Sequence, residues 1–355
     1  DNGNEYHGEW NEDKIEGEGI YSSANGNYYE GLFFDGKLNG EGTFRSSIGE
    51  TYVGEWLSGR MNGRGVYLFS NGNRYDGEWV NDVRTGYGVY KYTNGDLYEG
   101  YFIDGIRNGQ GTFRYENGEV YAGNWKDNQK DGNGNYFYSN GDNYNGEWLK
   151  NKRNGEGIIT YHDGKKYEGA FFDDKIKGKG AFTHSDGRRY IGNWENGKME
   201  GEGVFTDLGG NKYEGEWKND EFNGNGKFNY ANGDSYEGKW KDNVYSGKGT
   251  YLSRSGEKYV GMWSKGLKDG QGIIVNSNKD KYTGLWIEDR RNGDGIQEYS
   301  NGDVYEGEWK NNQKHGNGSM LYASGEKYIG NWDKGLKNGN GSQSYLNGDI
   351  YSGNW

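Results

Sequence analysis

Four histidines, His7, His162, His184 and His315, are the natural starting point for any chemistry near neutral pH. His162 and His184, with Asp163 and Asp186 close by in sequence, have the donor types of a metal site. The four occupy different places in a repeating pattern, however, and His162 and His184 are read as surface-loop side chains. The chain has no cysteine, so a thiol nucleophile, a disulfide and a zinc–thiolate centre are all excluded. Gly17-Glu18-Gly19 has the form of a phosphate-cradling loop but lacks the helix that such a loop must open. Carboxylates are abundant, yet acid–base work requires a site that shifts their pKa values by burial. Asn317-Gly318-Ser319 and Asn340-Gly341-Ser342 match the glycosylation acceptor pattern and follow from the repeat itself. On this reading there is no catalytic residue, no metal and no cofactor, and the chain is not an enzyme.

Composition points to structure instead. Glycine supplies 68 of 355 residues, against an ordinary share of about 7%. Aromatics make up 17%, and each buries a large area, which favours a thin packed structure over disorder. Proline is absent, as suits a chain whose amides all enter ladders. The net charge of -12 argues against nucleic acid as a partner. No apolar run reaches the length of a membrane-spanning helix.

Tyrosine recurs every 23 residues without insertion or deletion, from Tyr6 and Tyr29 through Tyr328 and Tyr351. Taking it as position 0, positions 2, 11 and 13 are always glycine, and position 4 is Trp or Phe. All 13 tryptophans of the chain stand at position 4. This gives 15 full repeats and a half repeat, 351–355, in one continuous array over residues 1–355. The chain opens at Asp1-Asn2-Gly3, a turn without its preceding strand, and closes on a half repeat, a pattern compatible with a segment of a longer protein.

Positions 0, 2 and 4 alternate, as do 11, 13, 15 and 17, which is strand periodicity. Position 7 is Gly, Asn or Asp throughout, the types that best tolerate a left-handed backbone. Asn-Gly or Asp-Gly at positions 19 and 20 marks a second turn, read as the tight hairpin. If the first turn centres between positions 7 and 8, position 4 faces 11, 2 faces 13 and 0 faces 15. The expected fold is all-β: an elongated, single-layer antiparallel meander of stacked hairpins, forming a twisted rod of roughly 140–150 Å. The aromatic stack, sampled by Tyr6, Trp10, Tyr98, Phe102, Tyr190, Trp194, Tyr305, Trp309, Tyr351 and Trp355, would line one face.

Tyr305, Gly307, Trp309, Gly316 and Gly318 carry a resemblance to the MORN (membrane occupation and recognition nexus) repeat, and the resemblance covers essentially the whole chain. It implies stacked β-hairpins and a stand-alone, non-enzymatic scaffold that self-associates; the open edges of the two terminal strands add the expectation of a homodimer joined end to end. It also implies a cytoplasmic location at the cytoskeleton or its boundary with the membrane, with cytoskeletal or ciliary partners. The family's name-giving ligand is phospholipid, so a phosphoinositide or other anionic lipid is the alternative partner. A targeting region of a larger enzyme is a further alternative.

Departures from the repeat carry the individual information. Position 1 is apolar at Val53, Ala122, Ile191, Val260 and Ile329, each 69 residues apart. Leu32-Phe33-Phe34, Tyr101-Phe102-Ile103 and Ala170-Phe171-Phe172 replace the usual charged residues at the same interval. Leu32, Phe34, Val53, Tyr101, Ile103, Ile191, Val260 and Ile329 are therefore candidate protein contacts. Positions 8 and 9 hold Lys or Arg in 13 of 15 repeats, and Lys152, Arg153, Arg290 and Arg291 are candidate lipid or anion contacts on a basic turn edge.

Overall fold

Each 23-residue unit contains two alternating runs separated by residues that accept a positive φ, and it folds as a hairpin. In a computed structural model describing residues 3–355, the third unit forms strands Thr51–Leu57 and Arg60–Leu68. Ser58 and Gly59 join them at φ 49° and 79°. Elsewhere the same two positions are Asn81 and Asp82, or Asp127 and Asn128, again both positive. Two consecutive left-handed residues make a type I′ turn, whose twist matches the strands. The tight turn therefore lies at positions 6 and 7, not at the Asn-Gly pair as the sequence suggested.

At the other end of the hairpin the turn is longer. Tyr92 N–H donates to Asp96 O (3.0 Å) and Gly95 N–H to Tyr92 O (3.2 Å), with only Gly95 left-handed, at φ 96°. Asn94 contributes its side chain instead: its Oδ1 accepts from Asp96 N–H at 3.1 Å. An Asx turn of this kind uses Asn for its carbonyl and not for its tolerance of φ.

Register follows from the glycines. Tyr52 pairs with Tyr67, Val53 with Val66 and Gly54 with Gly65, and then the ladder shifts so that Trp56 pairs with Met61. Asn62, Gly63 and Arg64 bulge opposite Glu55, and Gly63 reaches φ +66° to do so. Position 4 thus faces position 9 of its own hairpin and position 11 of the preceding one, as in Gly63 opposite Trp79. The facing of 0 with 15 and 2 with 13 is as read from the sequence.

All described elements are strands, and among the described residues there is no helix. The chain divides into two compact units, one ending at Ile176 and the other spanning Lys177–Trp355. Within each, consecutive strands pair antiparallel. In the first the series starts with Glu5–Asn11 against Lys14–Ser22. In the second it ends with Leu336–Ser344 against Ile350–Asn354. Both units are all-β meanders of hairpin repeats. Asp1 and Asn2, read from the sequence as part of a turn, lie outside the described residues.

Side chains stitch one hairpin to the next along both turn edges. On the tight-turn edge Asp82 Oδ1 accepts from Met61 N–H (2.8 Å) and Asn151 Oδ1 from Lys130 N–H (2.9 Å). On the other edge Asn73 Oδ1 accepts from Thr93 N–H (3.0 Å) and Asp96 Oδ1 from Glu116 N–H (2.9 Å). On the tight-turn edge they add to backbone bonds between the same residues, Asp82 N–H to Met61 O (3.0 Å) and Asn151 N–H to Lys130 O (2.9 Å).

Candidate interaction surfaces

Strand alternation sends positions 0, 2, 4, 9, 13 and 15 to one face and positions 1, 3, 5, 8, 12 and 14 to the other. On the first face Tyr52 is fully buried. Its ring stands edge-on between Trp56 (5.1 Å, 89°) and the next repeat's Trp79 (5.6 Å, 84°). Its hydroxyl donates to Glu55 O at 2.9 Å, and Trp56 Nε1 donates back to Gly42 O at 3.1 Å. Tyr98 is held in the same way by Phe102 and Trp125, and Tyr305 by Trp309 and Trp332. Tyr190 lies between Trp194 and Trp217. At the two ends the stack opens: Tyr6–Trp10 and Tyr351–Trp355 keep the edge-on contact, but Trp10 is 60% and Trp355 38% exposed. Burial raises the Tyr75 hydroxyl to about 12, so these phenols are neutral and structural.

The same face holds a row of cations that the sequence placed on a basic turn edge. Position 9 pairs with the tryptophan, so its side chain lies over the rings. Arg107 Cζ sits 4.4 Å from the Trp125 ring centroid, Lys130 Nζ 4.3 Å from Tyr136, and Arg291 Cζ 4.3 Å from Trp309. Arg153 lies over Tyr144 and Phe171, donates to Asp174 O at 2.8 Å and pairs with Asp174 Oδ1 at 3.3 Å. Burial pushes the Lys130 ammonium down to about 8. The adjacent pairs Lys152-Arg153 and Arg290-Arg291 are therefore split between the two faces. Lys152 and Arg290 are exposed on the far side, Lys152 paired with Asp173 at 3.0 Å, while Arg153 and Arg291 are half-buried against rings. Period-two alternation counted back from positions 15 and 13 places position 9 on the ring face; counting it as part of the turn concealed this.

The carboxylates at position 3 are bonded to backbone. Glu55 Oε1 accepts from Arg64 N–H at 2.8 Å, Glu216 Oε1 from Asn225 N–H at 2.8 Å and Glu308 Oε1 from Asn317 N–H at 2.9 Å. These carboxylates close the bulge that the position-11 glycine opens.

Where the glutamate is replaced, apolar area is exposed instead. Leu32 and Phe34 are 41% and 60% exposed, and Tyr101 and Ile103 50% and 52%. Tyr101 meets Tyr87 edge-on at 5.6 Å, and the Tyr87 hydroxyl donates to Glu99 at 2.6 Å. Val53, Ile191 and Ile329 are exposed too, and Val260 is half-buried. Three of these residues rim shallow depressions floored by bare glycine backbone: Leu32 one of about 510 Å³, Tyr101 one of about 430 Å³ and Ile191 one of about 560 Å³. Sequence reading missed that position 5 continues the exposed row through Leu57, Val80 and Leu149. Its signal was a plain one, a run of apolar residues on an outward position. Among the described residues no cluster has the composition of a metal site. His162 is exposed and contacts Asp142 at 3.1 Å.

A family model described as MORN repeat matches 15 consecutive segments, from 6–28 and 29–51 through 305–327 and 328–350. Among curated proteins none matches the chain. Among solved structures, the chain is similar to the SAS-4 (dCPAP) TCP domain of Drosophila melanogaster in complex with a proline-rich motif of Ana2 (dSTIL). That match has 14% identity and a TM-score of 0.27, covering 56% of this chain and 90% of that one. The TCP10 domain of Danio rerio CPAP in complex with a STIL peptide matches at 12% identity and a TM-score of 0.23, covering 70% and 96%. Virginiamycin B lyase from Staphylococcus aureus matches at 11% and 0.13, covering 79% and 88%. Likeness at these scores carries no inference about partners.

Proposed function

The chain belongs to the MORN-repeat family, and we propose that it is a non-enzymatic scaffold of the cytoplasm, at the cytoskeleton or its boundary with the membrane. It works through protein–protein contacts and self-association. The observation that carries this reading is the contrast between the two faces. One face is consumed by a ring stack that holds the repeats together. The other face offers exposed apolar side chains at Leu32, Phe34, Tyr101 and Ile103, in patches 69 residues apart, beside depressions too open to enclose a substrate. Patches of this kind mark contact sites. Cytoskeletal or ciliary proteins are the partners this reading favours.

Self-association as a homodimer is part of the same proposal. The test is mass determination in solution together with proximity labelling in the source cell. A stable oligomer with a reproducible set of protein neighbours supports the reading, and a monomer without such neighbours opposes it.

A phospholipid-binding adaptor is the second reading. It is favoured by the exposed Phe34, Leu57, Leu149 and Phe172 beside Lys37, Arg60, Lys152 and Lys175 on one turn edge. Binding to anionic vesicles that fades with salt and with charge reversal at Lys152 and Arg290 would support it. Reversal at Arg153 and Arg291 is not informative, because those side chains are packed on rings.

A further inference from the structure

The position-9 side chains of the second unit are not uniform. Met199, Phe222 and Tyr245 fill the slot against the tryptophan in three repeats, whereas Lys268, Arg291, Lys314 and Lys337 fill it in the last four. The slot accepts an apolar side chain, so the fold does not require a charge there. Burying an ammonium or guanidinium also costs free energy unless a counter-charge meets it. Here the close partners are neutral. Arg291 donates to Gln297 Oε1 (2.7 Å) and Asn312 O (3.2 Å), and Lys337 to Gln343 Oε1 (2.7 Å). Lys314 reaches Met320 Sδ at 3.7 Å, and Lys268 lies 5.2 Å from the Trp286 ring. Burial holds both Arg291 and Lys314 below their ordinary pKa values.

The same four repeats lose the ring at position 15. Phe228 and Tyr251 precede them, but Ile274, Gln297, Met320 and Gln343 stand there instead. A depression of about 410 Å³ is left, lined by Arg291, Gln297, Tyr299, Trp309, Lys314 and Lys334. Asp280 also lines it, and its Oδ1 accepts from Ser300 N–H at 2.7 Å; Asp303 is tied to Ala323 N–H at 2.8 Å. Both carboxylates are thus bonded along the opposite turn edge.

We propose that this row of cations binds an acidic peptide in polyproline II conformation, with a carboxylate at every third residue. Spacing selects that occupant. Equivalent positions in successive hairpins are two strands apart, about 9.6 Å at the usual strand separation. A polyproline II helix has three residues per turn and rises about 3.1 Å per residue, so every third side chain returns to the same face after about 9.3 Å. An extended β-strand of peptide presents residues i and i+3 on opposite faces and cannot meet the row in this way. Each carboxylate would meet one cation, while the peptide's apolar edge would pack on the half-buried Tyr299 and Tyr322. The proposal rests on the reading of the chain as a protein-binding scaffold and names the chemistry of one partner.

The test is fluorescence anisotropy of the full chain with a labelled (Glu-Pro-Pro)4 peptide, against a peptide of the same composition with its glutamates adjacent. The spaced peptide should bind about tenfold or more tightly than the clustered one, and its binding should weaken with salt. The pair Arg291→Met and Lys314→Met, which installs the side chain found at Met199, should lose about tenfold or more. Arg291→Lys with Lys314→Arg should retain binding, which separates charge from folding. Gln297→Tyr, restoring the ring of earlier repeats, should block binding with all charges kept. Arg84→Met with Lys130→Met, in the first unit, should leave it unchanged. Equal affinity for the two peptides, undiminished binding by the Met pair, or inorganic polyphosphate binding as tightly as the spaced peptide would each overturn the proposal. Loss of this groove alone, with proximity-labelled neighbours intact, would leave the scaffold reading standing.

Discussion

The buried tyrosine is the residue on which each repeat depends. A Cβ built on Gly65 would lie 2.3 Å from Tyr52 Oη and Cε2, and Tyr52 is clamped by Trp56 and Trp79. Gly65→Ala should therefore destabilise by about 3 kcal/mol, read as a shift in the denaturant midpoint of the first unit. Trp194, 8% exposed, should cost roughly 3–5 kcal/mol on substitution by Ala, and the exposed Trp10 under about 1 kcal/mol. Lys130 gives a pH signature. Its folded value of about 8 lies below the ordinary 10.5, so the unfolded chain binds more protons between those values and stability rises with pH across that window. At pH 7 the buried charge is a burden. Lys130→Met should then be more stable than the wild type at pH 7, with the gap narrowing above pH 8 in urea melts. A constant gap would mean that Lys130 is not desolvated. The glycine and aromatic positions were legible from spacing alone. The side on which Lys130 lies was not, because position 9 was counted with the turn, and it enters the strand only once the turn is placed at positions 6 and 7.

At the scale of the hairpin, the bulge explains the invariant glycine at position 11 and the glutamate at position 3 together. Gly63 at φ +66° frees Arg64 N–H from the ladder, and Glu55 accepts it. Glu308→Ala should cost about 0.5–1.5 kcal/mol and speed hydrogen exchange at the Asn317 amide, with little change at amides two repeats away. Uniform exchange across the unit would contradict a local bulge cap. The sequence announced two strands per repeat and a positive φ at position 7. It did not announce the bulge, since a register shift leaves no periodic trace in one strand. Nor did it say which turn was the tight one, because Asn-Gly serves both a type I′ turn and an Asx turn.

At the scale of the molecule, regularity makes the repeats interchangeable for folding, and binding specificity must come from where they differ. Leu32 and Tyr101 are such differences, exposed where most repeats place a charged or polar residue, and Phe34 and Ile103 beside them belong to the apolar row at position 5. Deleting residues 311–355 should change the oligomeric state in sedimentation if the C-terminal repeats carry the dimer contact, and an unchanged oligomeric state would place the contact elsewhere. The central claim is that the outward apolar patches engage the principal protein partners. It is tested most directly by quantitative proximity labelling in the source cell, comparing the wild type with a variant carrying Leu32→Ser, Phe34→Ser, Tyr101→Ser and Ile103→Ser. The account predicts loss of the principal protein neighbours with an unchanged melting temperature. The same neighbours at undiminished abundance, in a variant that folds as well as the wild type, would contradict it.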